Sequence, residues 1–63
     1  MLLIDEGAAA QMLCCQVKTL QAWRCQGKGP AFIKIGRLVR YNALTVEAWI
    51  KERMVRSTKK VQL

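Results

Sequence analysis

Apolar positions switch between a helical period and an alternating one along the chain, and the switches mark its elements. Leu2, Leu3 and Ile4 form an apolar lead-in to Asp5, a good N-cap. From Glu6 to Leu13 the chain is Ala-rich and helix-favouring, with Ala9, Met12 and Leu13 at i, i+3 and i+4 on one face. Cys14, Cys15 and Gln16 break that run, and Gln16 is a mediocre cap. A second helix is predicted from Val17 to about Gln26. Its apolar stripe is Val17, Leu20 and Trp23, and Lys18, Gln21, Ala22 and Cys25 form the outward face. Gly27-Lys28-Gly29-Pro30 must stop it, because glycines and a proline do not continue a helix cheaply. Phe32–Ile35 and Leu38–Tyr41 are short β-favouring runs on either side of Gly36-Arg37, a hairpin signal. Asn42 is placed to cap a third helix from Ala43 to Val55, with Val46, Trp49, Ile50 and Arg53 on one side.

The order is helix, helix, two-stranded β wing, helix. The fold class is therefore α+β, mostly α, with the outline of a small winged helix-turn-helix. The first two helices also meet the internal demands of a helix-turn-helix. Ala10 is the small residue at the close crossing, and Ala9, Leu13, Cys15, Leu20 and Trp23 fill the apolar positions around it. The turn position usually has φ > 0 and is usually Gly. Here it is Cys14, so the backbone either turns differently or tolerates strain. Residues 1–55 are expected to form one domain, and 56–63 a basic, flexible tail that frays. A chain of 63 residues buries only about 60% of the surface it exposes when unfolded, so the two-stranded ribbon must lean on the helices. The start at Met1 fits a complete small protein.

Charge adds a partner class to this outline. Lys and Arg total 11 against 4 Asp and Glu, for a formal net charge of +7. Residues 1–17 hold Asp5 and Glu6 and no base, whereas 18–40 hold Lys18, Arg24, Lys28, Lys34, Arg37 and Arg40 and no acid. A basic segment of that kind favours a polyanion. That polyanion is either nucleic acid or an anionic membrane, and the uncharged stretch Gly7–Val17 is far too short to span a bilayer.

The remaining chemistry is sparse. Cys14, Cys15 and Cys25 lack a histidine partner and fall short of a structural zinc site. They are read as thiols acting as small apolar side chains in a reducing cytoplasm. No residue set fills catalytic roles, and Gly27-x-Gly29 is too short for a phosphate loop. No enzyme activity, cofactor, metal or small-molecule substrate is expected. Trp23 and Trp49 sit on core stripes and are read as structural rather than as stacking platforms.

The stretch Leu3–Ile50 resembles the excisionase and AlpA-type branch of the MerR-like winged helix families. The resemblance rests on the Ala-Ala pair, Thr19-Leu20 with Trp23-Arg24, Gly27-Lys28-Gly29-Pro30, Lys34-Ile35-Gly36-Arg37, Val39-Arg40-Tyr41 and Glu47-Ala48-Trp49. It implies sequence-preferring binding of double-stranded DNA, as an excisionase-like recombination directionality factor of a phage or mobile element. Integrase and further copies of the chain, bound cooperatively on DNA, are the protein partners it implies. A small AlpA- or MerR-like transcription regulator, and a phage packaging or protein-interaction adaptor, are the alternatives.

On this reading the second helix enters the major groove. Lys18 reaches guanine or a phosphate, Gln21 pairs with adenine, Thr19 meets a phosphate or orders the helix start, and Ala22 touches a thymine methyl. Cys25 completes that face; where Ala22 and Cys25 stand, relatives carry arginines. The wing carries Lys34, Gly36 and Arg37, with Arg37 at its tip for a narrow minor groove. Arg24, Lys28 and Arg40 are assigned to phosphates, which set register. Tyr41 is expected to pack on the helices with its hydroxyl free for a phosphate.

Overall fold

A computed structural model of the protein describes residues 2–54. The elements are β1 (Leu3–Asp5), α1 (Glu6–Met12), α2 (Val17–Cys25), β2 (Ile33–Ile35), β3 (Leu38–Asn42) and α3 (Ala43–Lys51). The expected helix-helix-wing-helix order is present. The expected tail, 56–63, lies outside the described residues. So does Val55, where the third helix was expected to end; that helix instead closes at Lys51, with Glu52 as C-cap.

The sheet has three strands, ordered β1-β3-β2, where two were expected. Leu3, Ile4 and Asp5 pair antiparallel with Asn42, Tyr41 and Arg40, and the Ala43 amide donates to the Leu2 carbonyl at 2.9 Å. Three residues are too few to show an alternating pattern, so the strand is invisible to periodicity. Its effect is structural: a bare hairpin is marginal in water, and a third strand bolts the wing to the start of α1. The other side of β3 pairs with β2 through Ile33↔Arg40, Lys34↔Val39 and Ile35↔Leu38.

Caps fix where the helices begin. Asp5 ends β1 and caps α1, its Oδ1 accepting from the Ala8 amide at 2.9 Å. Asn42 ends β3 and caps α3 in the same way, accepting from the Leu44 amide at 3.0 Å. Gln16 makes no side-chain capping bond to α2, as its residue type suggests.

The ends of α1 and α2 share one closure. After α1, the Cys15 amide donates to the Ala10 carbonyl at 3.0 Å and the Cys14 amide to Gln11 at 3.1 Å. After α2, the Lys28 amide donates to Trp23 at 2.7 Å and Gly27 to Arg24 at 3.3 Å. Both are Schellman motifs, which need a left-handed residue just past the helix. Gly27 supplies it at φ 73°, and Cys14 supplies it at φ 54°. Cys14 therefore takes the strain that a glycine would avoid.

The core is small: Ala9, Ala10, Leu20, Tyr41 and Val46 are buried, with Ile4, Leu13, Cys15, Val17, Trp23, Val39 and Ile50 packed around them. Ala10 at the crossing lets α1 and α2 approach closely. Met12, assigned to the inner face of the first helix, is 39% exposed, because Ala9 and Ala10 hold that face instead. Of the three thiols only Cys15 packs on the core, while Cys14 and Cys25 are exposed, which corrects the reading of all three as apolar filler. Trp23 and Trp49 are half-buried and lie against each other, ring centroids 5.7 Å apart. A Cβ on Gly29 would stand 3.2 Å from Trp23, so glycine at 29 lets the loop close over that ring. Arg53 covers the Trp49 ring at 3.7 Å. Trp23 packs against the core, and Trp49 lies between Trp23 and Arg53. No helix among the described residues is long and apolar enough to cross a membrane.

Candidate nucleic-acid interface

Helix periodicity sorts the side chains of α2 into two sets. Val17, Leu20, Trp23 and Arg24 turn inward, while Lys18, Gln21, Ala22 and Cys25 are exposed along the outside, as the sequence pattern predicts. Thr19 is half-buried at the flank, in the first turn, where its amide donates to the Gln16 carbonyl at 3.0 Å. The outward set is small or polar throughout, so nothing on it obstructs approach to a flat polyanion.

Arg24 departs from its assignment. It lies one turn beyond the buried Leu20, at i+4, and its side chain is only 20% exposed. Nη1 donates to Glu6 Oε1 at 3.2 Å and to the Tyr41 hydroxyl at 3.4 Å, and the guanidinium stands 5.6 Å from the centre of the Phe32 ring. The Tyr41 hydroxyl and the Glu6 carboxylate both favour the charged form, and together they hold the Arg24 pKa above its ordinary value. In the free chain this arginine ties α2 to α1 and β3, so it is not an open phosphate contact. The Tyr41 hydroxyl is likewise engaged, accepting from Arg24, rather than free. The spacing from Leu20 carries the signal that places Arg24 inside; its acidic partner, Glu6, is far away in sequence and has no local signature.

The wing behaves as expected. Gly36 and Arg37 form the two-residue turn between β2 and β3, and only Gly36 of the pair has positive φ, at 60°. That is the type II′ pattern, which suits the right-handed twist of the strands and calls for glycine at the first position. A Cβ at Gly36 would meet nothing within 4 Å, so backbone freedom alone explains the residue. Arg37 is exposed at the tip. Lys34, opposite Val39 on the edge strand β2, is also exposed. Arg40 lies in the middle of the sheet, opposite both Asp5 and Ile33, and Nη1 donates to the Val39 carbonyl at 2.8 Å.

One shallow cleft of about 420 Å³ joins these parts. Asp5, Glu6, Gly7, Arg24, Arg37, Leu38, Val39 and Arg40 line it. It brings the wing tip and the start of α1 to the flank of α2, with Arg24, Arg37 and Arg40 in the same lining as Asp5, the α1 cap, and Glu6. Lys28 is not part of it. That lysine lines a separate groove with Trp23, Gly27, Gly29, Trp49 and Arg53. The three arginine and lysine positions assigned to phosphates are therefore split: Arg40 joins the wing, Arg24 is committed inside, and Lys28 faces the tryptophans.

Glu6 is the cleft residue whose contacts sequence reasoning missed. It reads as a first-turn acid that complements the dipole of α1. In the structure its carboxylate also accepts from Gln21 Nε2 at 3.2 Å, so it holds two side chains of α2 at once. No cluster of His, Cys, Asp and Glu among the described residues is arranged to hold a metal ion.

No curated protein matches the chain. A family model described as a helix-turn-helix domain matches residues 5–54, from the cap of α1 to just past α3. With an exposed α2 face, a turn closed by Cys14 and most of its length inside that match, this chain belongs to the helix-turn-helix domain family, a DNA-binding family that includes excisionase- and AlpA-like proteins.

Proposed function

We propose that the chain binds double-stranded DNA with α2 in the major groove and the β2–β3 wing in the adjacent minor groove, as an excisionase-like recombination directionality factor. The observation that carries this is the common cleft. Arg37 at the wing tip and Glu6 line one depression, and Glu6 accepts from Gln21 on the outward face of α2, which supports the wing tip and that face being neighbours. An α-helix fits the major groove, and a single arginine fits the narrow minor groove beside it.

Lys18, Gln21, Ala22 and Cys25 are the base-facing positions, with Thr19 near the backbone. Gln21 supplies discrimination of about 1–3 kcal/mol if it pairs with adenine. Lys34, Arg37 and Arg40 supply sequence-blind attraction. The side chains at Ala22 and Cys25 are short, so base reading is concentrated on Lys18 and Gln21. The role is one of binding and shaping DNA, with no bond made or broken. Integrase and neighbouring copies of the chain are the protein contacts this role calls for.

Two measurements test it. In a mobility shift on random-sequence duplex at low salt the chain retards the DNA; a protein-interaction adaptor gives no shift. In footprinting on the best duplex selected from a randomised pool, guanine N7 is protected in one major groove. A minor-groove ligand displaces the wing without abolishing that protection. Protection confined to the minor groove would contradict the placement of α2. Where an integrase gene adjoins, the chain shifts recombination toward excision; a change in promoter output alone would favour the regulator.

A further inference from the structure

Resting on the DNA-binding reading, we propose that Glu6 is a specificity-determining residue: it withholds Arg24 from DNA, orients Gln21, and lowers sequence-blind affinity more than sequence-reading affinity. The contacts are direct. One carboxylate oxygen accepts from Arg24 Nη1 and the other from Gln21 Nε2, each at 3.2 Å. Glu6 belongs to α1, yet it lines the cleft that the wing tip shares with α2. Its carboxylate is the anion that Arg24 meets in the free chain.

The consequences follow from charge. Phosphates repel a carboxylate at this position on every DNA sequence, and Arg24 contributes no counterion release while it stays on Glu6. Both effects weaken binding to any duplex equally. On a site that Gln21 reads, the cost is offset in part. A primary amide carries two N–H donors, so Gln21 can keep one on Glu6 and offer the other to adenine N7 while its oxygen accepts from N6. Glu6 thus orients the reading side chain and holds back the arginine beside it. Asp5, the other acid in the cleft, does not share this role: among the described residues its side chain accepts from the Ala8 amide, whereas Gln21 and Arg24 donate to Glu6.

Glu6→Gln keeps the shape and removes the charge. Wild type and variant are titrated against random-sequence duplex, and against the best duplex that wild type selects from a randomised pool, across a salt series. Affinity for the random duplex should rise about tenfold at low salt, the scale of one added charged contact. The salt slope should steepen by about 0.9 as Arg24 reaches a phosphate. The ratio of selected to random affinity should narrow. Adding Arg24→Gln to the same chain should return the slope to the wild-type value. Thermal unfolding of each variant keeps loss of fold apart from loss of binding, and affinities are scaled to the folded fraction. An unchanged slope and ratio in Glu6→Gln, or weaker binding to both duplexes, would overturn the proposal. Wild type that binds neither duplex would instead overturn the DNA-binding reading itself.

Discussion

Arg24 and Arg37 line the same cleft, yet their surroundings give them opposite work. Arg24 is enclosed by Glu6, Tyr41 and Phe32, on the inner side of a helix whose register is fixed by Leu20. Arg37 stands exposed on a two-residue turn whose only demand is the positive φ of Gly36. The same guanidinium holds elements together in one place and is left open for a partner in the other. Residue type says that a chain is basic; position on a periodic element says whether the base is available.

That contrast can be broken experimentally. The largest effect is expected from Arg24→Ala, which removes an ion pair, a hydrogen bond to Tyr41 and the packing on Phe32. It should cost about 1.5 kcal/mol of stability and lower Tm by roughly 5–10 °C in so small a domain. Unchanged thermal unfolding would mean that the Glu6–Arg24–Tyr41 contacts contribute nothing to the fold. Next comes Arg37→Ala. Thermal unfolding should hardly move, while duplex affinity falls about tenfold at low salt and the salt slope becomes shallower by about 0.9. Unfolding caused by this change would make Arg37 a second Arg24 and erase the distinction. The smallest effect, of opposite sign, is expected from Cys14→Gly in the turn that sets α1 against α2. Relief of the left-handed backbone should stabilise the chain by about 1 kcal/mol, seen as a higher Tm, with duplex affinity unchanged.

Much of this architecture is legible in the sequence because it depends on local signals. Ala9, Ala10, Leu20 and Val46 follow the helical period, Asp5 and Asn42 are cap residues, and Gly36 marks the wing turn. The outward face of α2 is the complement of its apolar stripe and needs no further information. What stayed hidden depends on contacts distant in sequence. β1 is too short to declare itself and exists because β3 offers it a partner. The pairing of Glu6 with Arg24 and Gln21 joins helices across a turn, so no spacing rule reveals it. The inward set of Arg24 was available from its distance to Leu20, but the basic run around it pointed toward phosphate. Cys14 shows the reverse case: the turn needed a positive φ, and the structure meets that need without a glycine.

The salt dependence of duplex affinity tests DNA recognition through this cleft most directly. If Lys18, Lys34, Arg37 and Arg40 each release one counterion, whether at a base edge, in the minor groove or at a phosphate, log affinity should fall against log salt with a slope of about −3.6. A slope near zero, with the chain folded throughout, would contradict it.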